Sequence, residues 1–184
     1  MLAAPRRSTL GALACLTTVL VVAGAPQPVF ASTSPKAALS TYLNAVDQGR
    51  QPYQKAGPAV DAALSGLHNS PDATWVTAAQ KVKASASAAA YLAAAVASLK
   101  VPSGMAQANG QLHQAAVLAA QYLKALQGDL ATRNVAKVQA AFAGTAKLST
   151  TINGLNASWK AAAIAAAHKA GLAVPSWVTT FGNA

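Results

Sequence analysis

Residues 35–67 read PKAALSTYLNAVDQGRQPYQKAGPAVDAALSGL. Within them Leu39, Leu43, Val46, Arg50, Tyr53, Gly57, Val60, Leu64 and Leu67 recur at alternating steps of four and three, the spacing that keeps one stripe of a helix facing inward. Ser34 is placed to cap the N-terminus, with Pro35 at the first helical position, where the missing N–H would have had no helical partner. Pro52 and Pro58 lie off the stripe, and the register passes both unchanged. That predicts one long kinked helix over 35–68, ending at His68, rather than two with unrelated registers. An interior proline costs a helix about 3 kcal/mol, so a break near Gly49 or Gly57 is the alternative.

The same reading extends outward. A second segment, residues 71–100, opens on Ser70, Pro71 and Asp72 and carries Trp75, Ala78, Val82, Ser85, Ala89, Leu92, Val96 and Leu99 at the same steps. A third, 104–131, carries Met105, Ala108, Leu112, Ala116, Ala119, Leu123, Leu126 and Leu130. A fourth, 134–170, carries Val138, Phe142, Thr145, Ser149, Ile152, Leu155, Trp159, Ala162 and Ala166, and stops at Gly171. Valine and isoleucine are scattered rather than alternating, so no strand is predicted. Connections of a few residues make successive helices antiparallel neighbours. The expected fold is all-α, an up-down-up-down four-helix bundle over residues 32–171, with helices about 40–50 Å long at 1.5 Å per residue. Trp177 and Phe181 predict that the tail, 172–184, packs over one end of the bundle.

Alanine is 49 of 184 residues. Burying alanine gains far less apolar area than burying leucine, so such helices must approach closely over a long contact. The alanine-rich windows at 84–99 and 161–167 read as buried helix, because alanine gives little transfer energy into lipid. No transmembrane segment is therefore expected after the N-terminal region. That region has Arg6 and Arg7, an apolar run over 10–25, and Val29 and Ala31 before Ser32. These are the charged, apolar and small-residue parts of a secretory signal, with cleavage expected near Ala31. A retained anchor is the alternative, against which stands an apolar run shorter than the roughly 20 residues of a spanning helix. Arg6-Arg7 leaves export by the general or the twin-arginine route open, and Cys15 follows too short an apolar stretch for a lipoprotein signal. The expected location is the extracellular space, periplasm or cell envelope. The composition resembles that of alanine-rich exported proteins of GC-rich bacteria, a likeness that transfers no functional residue.

Residues 32–184 hold no cysteine, no glutamate, four aspartates and a net charge of +8. The missing glutamate excludes Glu-rich di-iron bundles and H-E-x-x-H metalloproteases. No G-x-S-x-G elbow, phosphate loop or dinucleotide glycine pattern is present, and no catalytic residue is predicted.

Arg50 is the most informative side chain, a cation at an inward position. Heights along antiparallel helices place Tyr53, Ser85, Gln121, Tyr122 and Asn156 in about the same layer. A buried arginine must be paired or hydrogen-bonded, so the layer is either a polar plug, with Arg50 held by Asp47, or a pocket for an anionic or polar ligand. A weaker constellation joins Met105, His113 and His168 at one pole, where a Met/His or His/His pair could hold haem iron or a metal; surface histidines are the alternative. The lysines are dispersed without a polybasic run, which suits a solvated surface or attraction to anionic envelope polymers or lipid headgroups. No nucleic-acid motif appears. The expectation is a monomeric, exported, non-catalytic binding or interaction protein without a cofactor. A small-molecule or haem/metal carrier is the alternative.

Overall fold

The computed structural model describes residues 34–65, 67 and 72–182. The predicted signal at 1–31, with Arg6, Arg7 and Cys15, lies outside them, as do His68, Ser70 and Pro71.

Four long helices and one short one make up the described residues, and none of these residues forms a strand: α1 Pro35–Ser65, α2 Asp72–Ser98, α3 Ala106–Ala131, α4 Val135–Lys169 and α5 Ser176–Thr180. Helix α1 continues through Pro52 and Pro58, both exposed, so the rings and the carbonyls they free face solvent. Ser34 Oγ accepts the Ala37 N–H at 3.2 Å, and Asn134 Oδ1 accepts the Lys137 N–H at 3.0 Å at the start of α4, the side-chain capping of free amide donors. Helix α2 stops at Ser98, short of residue 100, and α3 begins at Ala106, after Met105 at the cap position.

Two apolar clusters show how the helices run. One gathers Leu39, Leu43 and Val46 with Leu92, Val96, Met105, Leu112, Trp159 and Ala163. The other gathers Val60 with Ala78, Val82, Leu123, Leu126, Leu130 and Val138. The start of α1 and α3 thus meets the end of α2 and α4 at one pole, and the reverse holds at the other. Consecutive helices are antiparallel. Gly49 marks a close approach of α1 to α2: a Cβ there would lie 3.3 Å from Leu92 Cδ1 and 3.4 Å from Ala95 Cβ.

All eight expected inward positions of α3 are buried, and α2 is buried at Ala78, Val82, Ser85, Ala89, Leu92 and Val96. Helix α4 differs. Only Val138, Trp159, Ala163 and Ala167 are buried, and Phe142, expected inside, is 41 % exposed. A seven-residue repeat drifts by about 20° per heptad on a straight helix. Counted from Val138, Ala162 has turned about 120° away, whereas Ala163 is within about 20°, at 100° per residue. The inward stripe therefore moves one residue along, from the predicted Ala162 and Ala166 to Ala163 and Ala167.

Helices α1 and α4 do not pack along their length as the three sequential pairs do. Large side chains bridge them instead. Trp159 Nε1 donates to Tyr42 Oη at 2.9 Å; Tyr42 Oη donates to Asn109 Oδ1 at 3.0 Å; Asn109 Nδ2 donates to the Val96 carbonyl at 3.3 Å. One relay thus ties α4, α1, α3 and α2 together. The tail is the second bridge: Val178 and Phe181 are buried against the first cluster. The tail lies along the flank of α4 beside Trp159 rather than over the end of the bundle.

Replacing Tyr42 by Phe strips the buried Trp159 N–H of its acceptor and Asn109 Oδ1 of its donor, and is expected to cost about 1–3 kcal/mol in urea unfolding. Burial pushes the Tyr42 hydroxyl above its ordinary range, against the smaller opposing effect of the Trp159 hydrogen bond, and burial followed by the charge of Asp61 does the same to Tyr53. Each phenol then holds its proton longer in the folded chain than in the unfolded one. Unfolding free energy is therefore expected to fall as pH rises above about 10, where the unfolded phenols begin to ionise, with a smaller fall in Tyr42→Phe.

Candidate functional site

The gap between α1 and α4 is a cleft of about 220 Å³. Its floor is apolar: Leu92 from α2 and Leu112, Ala115, Ala116 and Ala119 from α3. Arg50, Tyr53 and Gln54 form the α1 wall, Ile152, Asn153 and Asn156 the α4 wall, and Thr180, Phe181 and Gly182 close it from the tail. Gly182 has φ +75°, and a Cβ on it would lie 3.0 Å from the Asn156 Cβ. The backbone therefore turns in a left-handed conformation directly against α4, and a side chain there would push the wall away.

Arg50 is 8 % exposed. Its Nε and Nη2 both approach Asp47 Oδ1, at 2.8 and 2.6 Å; Asp47 Oδ2 accepts from Gln51 Nε2 at 3.3 Å. The guanidinium carbon sits 4.6 Å from the Trp177 ring centroid. Trp177 stacks on Trp159 at 5.8 Å and 22°, and Phe181 meets Trp159 at 4.8 Å. Asp47 thus fixes one edge of the guanidinium and the indole covers a face. Among the described residues Arg50 Nη1 meets no acceptor, and neither the Tyr53 hydroxyl nor the Asn156 amide has a hydrogen-bond partner. Tyr53, with its raised pKa, remains a neutral donor at neutral pH. Three polar groups from two helices line one cleft with hydrogen-bonding capacity left over. Its wall carries no histidine, carboxylate or cysteine.

Of the predicted layer, Arg50, Tyr53 and Asn156 come together. Ser85 is buried within α2 but does not line the cleft. Gln121 is exposed, because it lies about 200° round α3 from Ala119, at the predicted height but on the wrong face. Tyr122 is turned to α4, its hydroxyl 2.8 Å from Thr145 Oγ1. Met105 is buried in the first cluster, His113 is half-buried, and His168 is exposed on the last turn of α4, so the three do not project into a common interior site. Among the described residues no group of three His, Cys, Asp or Glu side chains could hold a metal ion.

Sequence reasoning missed the tail's share of the cleft and the relay through Asn109. The tail aromatics signal docking but not its place. Asn109 sits one residue beyond an inward alanine, where a polar side chain reads as surface.

No protein-family model, curated protein or solved structure matches the chain.

Asp47→Ala leaves the guanidinium without its acid and is expected to cost about 1–3 kcal/mol in urea unfolding, as for hydrogen bonds to charged groups. Replacing both partners, Arg50→Met with Asp47→Leu, removes the ion pair whole and is expected to lie within about 1 kcal/mol of the natural chain.

Proposed function

We propose that this chain is an exported, non-catalytic binding protein that carries a small ligand in the α1–α4 cleft. The observation that carries this reading is that Arg50, Tyr53 and Asn156 line one cleft with an apolar floor, while Arg50 Nη1, Tyr53 Oη and the Asn156 amide have no protein partner among the described residues. Small-molecule sites commonly join apolar walls to a few polar groups that fix orientation. Without an acid, histidine or cysteine on the wall, the cleft has the means to hold a ligand but little to activate one.

Export rests on the N-terminal sequence, with cleavage after Ala31 delivering the mature chain to the envelope or the extracellular space. No helix among the described residues is long and apolar enough to cross a membrane. A second reading, contact with anionic envelope polymers or lipid headgroups, is favoured by the lysines. Nine of the ten within the described residues are exposed, and Lys160 is half-buried. Such contact is long-range and screened by salt, and it is compatible with a ligand in the cleft.

Native mass spectrometry of the protein from its own cells tests the reading. The expected species begins at Ser32, has one polypeptide per particle, and carries a small adduct that is lost on denaturation. A chain that starts at Met1 overturns export by cleavage. Repeated native preparations without any adduct overturn the carrier reading and leave the charged surface as the site of interaction. Heparin retention that vanishes in moderate salt is the expected sign of that surface.

A further inference from the structure

Resting on the carrier reading above, we propose that the cleft binds a compact monocarboxylate with an apolar tail, its head on Arg50 and its tail on the alanines of α3. The head is specified by what Arg50 lacks. Asp47 occupies Nε and Nη2 through a single oxygen, so the outward edge of the guanidinium presents the two N–H groups of Nη1. Tyr53 adds a hydroxyl that burial keeps protonated, and Asn156 adds an amide across the gap. All can donate, and an ionised oxygen accepts such bonds roughly twice as strongly as a neutral one.

Charge decides how many negative groups fit. Arg50 and Asp47 together are neutral and the charge of Asp61 is felt at Tyr53, so repulsion grows with each negative charge on the head and is greatest for a dianion such as a phosphate monoester, which carries about −1.5 to −2 at neutral pH. A single carboxylate gives these donors an ionised acceptor with less repulsion from Asp47 and Asp61 than a dianion meets, and the surrounding charge of +8 favours its approach.

The tail follows from the floor. Ala115, Ala116 and Ala119 lie where larger side chains would fill the space, with Leu112 and Ile152 beside them. A cavity of about 150 Å³ accepts benzene, so the 220 Å³ here holds about nine non-hydrogen atoms. A straight-chain acid of eight carbons is about this size and has the required asymmetry.

The test is calorimetric titration of the full chain at neutral pH with octanoate, octan-1-ol and octylammonium. The expected order is octanoate tighter than octanol by about tenfold, with octylammonium not bound. In Arg50→Gln, with helicity checked by circular dichroism, octanoate should fall to the level of octanol while octanol is unchanged. Tyr53→Phe, which leaves the ion pair and the tail stack in place, should weaken octanoate about threefold and leave octanol alone. Equal affinity for octanoate and octanol in the natural chain, or an equal loss of both in Arg50→Gln, overturns the carboxylate assignment and leaves the cleft as a carrier site. Failure of all three probes to bind overturns both.

Discussion

A single phenolic oxygen lies where the four long helices come together. Tyr42 Oη takes the indole proton of Trp159 and gives its own to Asn109, whose amide ends on the Val96 carbonyl. Removing any one member is costly, because each of these groups is buried and would leave its neighbour without a partner. The relay also sets the spacing of α1 and α4. A tyrosine reaching to a tryptophan holds two backbones further apart than facing alanines would, so the pair least in contact is joined by the largest side chains. The dense alanine packing of α1 on α2, tight enough that Gly49 has little room for a methyl group, ends at this seam.

The open seam gives the chain its interior. In a bundle closed by small residues on every side, Arg50 would have to leave the core or be fully neutralised within it. Here Asp47 satisfies one edge and Trp177 covers a face, while the rest looks into the cleft. The tail thus has two tasks: it buries Val178 and Phe181 against Trp159, and it supplies the cleft's third wall.

The repeat of threes and fours made the helices legible, and most plainly in α3, where every inward position found a neighbour on both sides. It was less informative for α4. Repeat spacing assumes that a partner covers the whole stripe, and Phe142 and Ser149 stay exposed. The candidate site was legible where height and azimuth agreed, at Arg50, Tyr53 and Asn156. It failed at Gln121, where height alone was known. Asn109 was invisible because its partners, 13 and 67 residues away, are set by tertiary contact and not by local spacing.

Gly182, pressed against Asn156, has an implication for the order in which the molecule is completed. The cleft's last wall comes after all four long helices along the chain, so the helices can associate before the cavity exists. Cleavage after Pro175 would run that step in reverse: it would uncover the Arg50 ion and widen the cleft into an open groove, with the four helices still in place.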